Sequence, residues 1–144
     1  MKDKVVIITG GSSGIGKALA QCFGSHGSRI LITGRNSGDL EAAVTELQSE
    51  GIIVHGFVGD VSQEADNYRM AEAAIAHYGR IDILINNAGV FAARLEHTQE
   101  GFELQFGVNH LGPFLLSHLL LPALAAAPAP RLVNVASRAH RAGH

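Results

Sequence analysis

Along this chain the hydrophobic pattern alternates between short continuous apolar runs and stretches with apolar residues three and four positions apart. Val5–Ile8 is a continuous apolar run, the pattern of a strand buried on both faces. A glycine- and serine-rich turn follows. Ile15, Leu19, Cys22 and Phe23 then recur at helical spacing, with Ala18 on the same face and Gly27 as a stop. Arg29–Thr33 predicts a second strand. Asn36 or Ser37 caps a helix whose apolar face is Leu40, Val44 and Leu47 and which ends at Gly51. Ile52–Val58 predicts a third strand, and Ser62 caps a helix through Met70 and Ala74 closed by Gly79. Ile81–Ile85 reads as a fourth strand. A helical region follows, roughly Thr98 to Ala126, with kinks at Pro113 and Pro122, and Leu132–Val135 reads as a fifth strand. Strands alternating with helices give a parallel sheet with right-handed crossovers. No repeat or linker interrupts the pattern, so residues 1–144 read as one domain. The predicted class is α/β: a Rossmann-like, doubly wound parallel sheet of about five strands. A symmetric doubly wound sheet has six strands. The pattern therefore reads as a truncated fold or one completed by another copy.

Composition narrows the function classes. Hydrophobic residues make up 47% and charged residues 17%, enough apolar material for a core and too much for a disordered chain. A net charge of -2 points away from nucleic acid and anionic membranes. The one cysteine, Cys22, excludes an intramolecular disulfide and a multi-thiolate metal site. Val5–Ile8 is too short for a signal peptide or a membrane span, and the apolar region from Phe114 to Ala127 is interrupted by Ser117, His118 and Pro122. The expectation is a soluble cytoplasmic protein without a membrane span. Among the 8 histidines, His140 and His144 are four apart and His110 and His118 eight apart, but no acid or cysteine clusters with either pair, so no metal site is expected.

The chemistry-bearing segment is Thr9-Gly10-Gly11-Ser12-Ser13-Gly14-Ile15-Gly16, between a predicted strand and a predicted helix. The first N–H groups of a helix are unpaired and its dipole favours anions, so this is a phosphate site. Gly10 permits the tight turn, Gly14 lets a ligand approach the backbone, and Gly16 allows close helix–strand packing. The spacing is G-x3-G-x-G rather than G-x-G-x-x-G. About twenty residues on, where an acid would accept a ribose 2′-hydroxyl, the chain reads Thr33-Gly34-Arg35-Asn36. No acid is present, and the planar fork of Arg35 suits a 2′-phosphate. Lys17 offers a second positive charge. The predicted cofactor is NADP in preference to NAD.

These residues resemble the short-chain dehydrogenase/reductase family. The segment Thr9 to Gly16 looks like its cofactor loop, with Ser12, Ser13 and Ile15 among the contacts. Asp60-Val61 matches the pair that contacts adenine, and Asn86-Asn87-Ala88-Gly89 the motif ending the fourth strand. Asn109 falls on the asparagine of the catalytic tetrad, which holds a water of the proton relay, and Ser137 on the catalytic serine, which steadies the substrate carbonyl. On the residues themselves, Asp60 can instead cap the following helix, and Asn109 can satisfy helix carbonyls freed by a kink. The resemblance implies hydride transfer between a nicotinamide and a carbonyl or alcohol carbon. The sheet is incomplete relative to the family.

One departure is large. The family's acid is a tyrosine with a lysine four residues later. Here the tyrosines are Tyr68 and Tyr78 and the lysines Lys2, Lys4 and Lys17, so no such pair exists within residues 1–144. His140 is the nearest group that could replace the acid. Residues 1–90 look like bacterial-type members, whereas Asn109–Leu116 and Val133–His140 resemble the retinol-dehydrogenase-like subgroup, implying lipophilic carbonyls and raising the idea of a recombined chain. Two readings result. One is the NADP-binding portion of an oxidoreductase, inactive or weak alone. The other is a non-catalytic nucleotide-binding or assembly protein. Phe102, Phe106, Phe114, Leu115 and Leu119 expose enough apolar surface to predict a homo-oligomer.

Overall fold

The computed structural model describes residues 1–137. Five parallel strands, β1 (Val5–Ile8), β2 (Arg29–Gly34), β3 (Val54–Val58), β4 (Ile83–Asn86) and β5 (Arg131–Asn134), form one sheet in the order β3-β2-β1-β4-β5. The chain winds outward from β1 to β3, then returns to place β4 on the other side of β1. That reversal leaves a crevice at the carboxyl ends of β1 and β4.

Two apolar layers sandwich the sheet. Val6, Ile8, Ile30, Ile32, Ile83 and Ile85 point to one face, where Leu40, Ala43 and Leu47 of α2 (Ser37–Ser49) and Ala20 of α1 (Gly14–Ser25) cover them. Ile7, Leu31 and Leu84 point to the other face. There they meet Met70, Ala71 and Ala74 of α3 (Glu64–Tyr78) and Leu116, Leu120 and Leu124 of α5 (Gly112–Ala125). This period-two division explains why the strands read as unbroken apolar runs.

Three local expectations are corrected. The buried face of α1 is Gly16 and Ala20, flanked by Leu19 and Phe23, while Ile15 and Cys22 are exposed. The helix lies so close to its neighbours that small residues form the contact; a Cβ on Gly24 would fall 2.3 Å from Ile52. Ser62 is not the cap of α3, which begins at Glu64 after Gln63. Ser62 instead donates its N–H to Asp60 Oδ1 (2.9 Å) in the turn before the helix. The long helical region begins at Leu104 rather than Thr98. Glu103 caps α4 (Leu104–Phe106) by accepting from the N–H groups of Gln105 and Phe106. A π-helical turn, Gly107–Leu111, leads directly into α5, so the irregularity precedes Pro113, which has no N–H to give to the preceding turn.

The run Leu104–Ala125 is long and apolar enough to cross a membrane by length and composition. One face of it, Val108, Leu116, Leu120 and Leu124, is core, and Phe106, Phe114 and Leu121 of the opposite face are exposed. Every residue of β5, an edge strand, is also exposed.

At the amino ends of the strands lies a buried charge. Asp82 is fully buried. Its carboxylate accepts from Lys4 Nζ (2.8 Å), Val5 N (3.0 Å), Arg80 Nε (3.0 Å) and Arg80 Nη2 (2.7 Å). Burial pushes its pKa up, but the hydrogen bonds from Arg80, Lys4 and Val5 outweigh burial and hold it well below the usual carboxylate range.

Candidate functional site

A cleft of about 380 Å³ opens at the carboxyl ends of β1, β2, β3 and β4. Gly10, Ser12, Ser13, Gly14, Ile15, Arg35, Asp60, Val61, Asn87, Ala88 and Gly89 all line it. Gly16, named with them from the sequence, does not. It packs beneath the loop, where a Cβ would fall 2.2 Å from the Gly10 carbonyl oxygen.

The loop holds its shape through Gly10, at φ 65, and Gly14, at φ 52, both in the left-handed region that favours glycine. Ser13 is the N-cap of α1, but its side chain caps nothing, and the first turn carries no acid. The leading N–H groups therefore have no capping oxygen from the Ser13 side chain, and Ser13, Gly14 and Ile15 line the cleft. This donor set fits a phosphate. A Cβ at Gly14 would meet nothing within 4 Å, so the approach to these groups is open.

Thr9 ties the loop to the end of β4. Its buried hydroxyl accepts from Asn87 N and Ala88 N, both at 3.0 Å. Asn87 Nδ2 donates to the carbonyls of Thr9 (2.9 Å) and Gly10 (3.1 Å). Asn86 performs the same task towards β5, donating to Asn134 Oδ1 (2.8 Å) and to Ser117 Oγ (3.0 Å) of α5. The Asn-Asn-Ala-Gly turn thus joins β1, β4, β5 and α5.

On the β2 side, a Cβ at Gly34 would lie 3.2 Å from Ser12 Oγ, so the tip of β2 packs on the loop. Arg35 is exposed, and its Nη1 lies 4.0 Å from Asp60 Oδ2. Beside it a shallow groove is lined by Ser12, Ser13, Arg35, Asn36 and Asp39. Lys17 lines neither space; its ammonium pairs with Glu46 of α2 at 2.5 Å. Asp60 is held by Asp66, whose Oδ2 accepts from Asp60 N (2.7 Å). Burial pushes the Asp66 pKa up, but the Asp60 N–H and the Arg69 guanidinium together bring it below its ordinary value.

Asn109 does not serve freed helix carbonyls. From the π-helical turn it accepts from Val90 N (2.8 Å) and donates to Val90 O (2.9 Å), clamping the segment after β4. Both Val90 and Val108 line the cleft, so this clamp shapes one wall. Ser137 is exposed, three residues beyond the end of β5. His140 and His144 lie outside the described residues. Thr9, Thr33 and Gly34 stand in segments the sequence singles out, but only the structure gives them their own part in the site; Gly59, Val90 and Val108 line the cleft with no signal in the sequence.

The profile of the short chain dehydrogenase family matches residues 4–144. The chain belongs to that family. Human retinol dehydrogenase 13 is 41% identical over 143 residues, covering 98% of this chain and 43% of the relative. Human retinol dehydrogenase 12 is 40% identical over 147 residues, covering 99% of this chain and 46% of the relative. The chain spans less than half the length of these curated relatives. The likeness to retinol dehydrogenases is not confined to the later half, as the sequence motifs suggested, but runs over nearly the whole chain. Among solved structures, a metagenomic short-chain oxidoreductase in complex with NADP superposes with a TM-score of 0.83 at 30% identity, covering 95% of this chain and 63% of that one. The apo form of LigD from Sphingobium sp. strain SYK-6 gives a TM-score of 0.88 at 31% identity, covering 99% and 63%.

Proposed function

We propose that residues 1–144 hold NADP(H) in this cleft, as the cofactor-binding portion of an oxidoreductase that moves hydride between the nicotinamide and a lipophilic carbonyl or alcohol. The observation that carries the choice of cofactor is the tip of β2. No acid stands at Gly34 to accept a ribose 2′-hydroxyl, a side chain there would press on Ser12, and the exposed Arg35 guanidinium faces both spaces lined by Ser12 and Ser13. The pyrophosphate belongs on the open N–H groups of α1, and Asp60 and Val61 belong at the adenine. The neighbouring structure solved with NADP supports the same reading.

Calorimetric titration of both cofactors tests it. Arg35→Ala should weaken NADP about tenfold to a hundredfold, the scale of ~1.5–3 kcal/mol for hydrogen bonds to a charged group, and leave NAD unchanged. Equal affinity of the wild-type chain for the two cofactors would remove the 2′-phosphate role of Arg35.

When bound, the cofactor supplies the hydride; the chain must supply the proton that the carbonyl oxygen then needs. A positioned acid contributes about 10²–10⁴-fold. Ser137 and Asn109 can orient an oxygen or a water but do not titrate near pH 7, and residues 1–144 contain no tyrosine–lysine pair at the family's spacing. Residues 1–144 alone are therefore expected to bind NADPH without efficient turnover of aldehydes, ketones or retinal. Robust oxidation abolished by His140→Ala would reveal a replacement acid.

Self-association belongs to the same proposal. Between Glu103 and Arg131 the chain carries no charged residue. Phe106, Phe114 and Leu121 project from that segment into solvent. Such a face can bury against its own copy without desolvating a charge. Sedimentation at micromolar concentration should show a dimer or larger species, and Phe114→Glu should dissociate it; a monodisperse wild-type monomer counts against the idea.

A further inference from the structure

Away from the cleft, at the amino-terminal end of the sheet, two histidines from different elements meet. His55 is the second residue of β3, and His77 lies in the last turn of α3. Their ring centroids are 3.9 Å apart with planes at 61°. Tyr78 flanks the pair, its ring 4.6 Å from that of His77, and its hydroxyl is fixed by donating to the Ile30 carbonyl (2.8 Å). Both histidines are exposed, and neither ring has a hydrogen-bond partner among the described residues. All four ring nitrogens are thus uncommitted, and both side chains reach solvent.

We propose that His55 and His77 form a two-imidazole site for a borderline transition-metal dication, Cu²⁺, Ni²⁺ or Zn²⁺, at the end of the sheet opposite the cleft. Imidazole suits these ions, which take nitrogen at about 2.0–2.1 Å, whereas Mg²⁺ and Ca²⁺ demand oxygen ligands. Among the described residues no third histidine, cysteine or carboxylate joins the pair. Water therefore completes the coordination shell, and the affinity order follows the Irving–Williams series with copper first. The bound ion would bridge the last turn of α3 to the edge strand β3.

The chain itself provides the reporter. It contains no tryptophan and two tyrosines, so in a Tyr68→Phe background Tyr78 is the remaining tyrosine emitter. Copper held at His77 lies beside the Tyr78 ring and quenches it. Titrating CuCl2 into the Tyr68→Phe protein, in a non-coordinating buffer at neutral pH, should quench the emission saturably at one equivalent. Adding His55→Gln or His77→Gln should raise the midpoint about tenfold or more, and acidification should release the ion because protons compete for the same nitrogens. Both glutamines stand at exposed positions; far-ultraviolet circular dichroism confirms the fold of each variant, with His→Ala as the second choice at either site. An unchanged midpoint in the two variants, or quenching that never saturates, would place copper elsewhere among the histidines and overturn the proposal.

Discussion

Replacing Asp82 with alanine is expected to lower the unfolding free energy by about 3 kcal/mol, the scale of an unsatisfied buried N–H (~1–3 kcal/mol) together with a small void. Asp82 is fully buried, but its partners are not: the side chains of Lys4 and Arg80 are 28% and 48% exposed. Freed of the carboxylate, both cations turn to water. What remains is the unpaired N–H of Val5 and a small void beside β1. Asp82→Asn should cost nearly as much, because its amide would present donors to three donating groups. The pH dependence follows from the lowered pKa. A group whose folded pKa lies below its unfolded value, about 3.9, contributes stability that is complete above that value and is lost as pH falls through the folded pKa. Urea unfolding between neutral pH and pH 3 should therefore show a steeper acid loss in wild type than in Asp82→Ala. Identical slopes would mean that the carboxylate is not held as the geometry requires.

Most of this fold could be read from periodicity because its signals are local. A strand buried on both faces is a continuous apolar run, and all five strands appear within about two residues of their predicted ends. The glycine loop is equally local, a turn and a helix start within eight residues. The failures came where tertiary contact overrides local pattern. The face of α1 was misread because its contact is made by Gly16, Ala20 and Gly24, whose smallness carries no hydrophobic signal. Thr9 stands in the legible loop, but its acceptor role has no local signal because it depends on Asn87 and Ala88, 78 and 79 residues away. For Asn109 the sequence offers a relay role by resemblance or service to carbonyls freed at a kink; its clamp on Val90, 19 residues earlier, has no local signal. The His55–His77 contact crosses from strand to helix and has no periodicity to betray it.

Gly16→Ala is expected to reduce NADP affinity about a hundredfold, the scale of a 1 Å misplacement, together with ~1–3 kcal/mol of stability from overpacking. In an ordinary helix the change would add about 1 kcal/mol of stability. Here the new Cβ would lie 2.2 Å from the Gly10 carbonyl oxygen and 2.6 Å from Asn87 Nδ2. Neither neighbour can give way freely. The Gly10 carbonyl belongs to the loop backbone, and Asn87 Nδ2 donates to it and to the Thr9 carbonyl. Relief of the clash must move the loop, the end of β4, or both, and these form opposite walls of the cleft. Gly14→Ala separates the two effects. Its Cβ meets nothing within 4 Å, so the cost to folding is the ~1–2 kcal/mol of a left-handed non-glycine residue. That Cβ nevertheless stands where a phosphate must approach the N–H groups. Thermal unfolding and cofactor titration should therefore show Gly14→Ala losing affinity with a modest shift in Tm, and Gly16→Ala losing affinity with a shift at least as large. A Gly16→Ala protein with wild-type Tm and NADP affinity would show that the loop and the end of β4 are not locked together as Thr9 and Asn87 indicate.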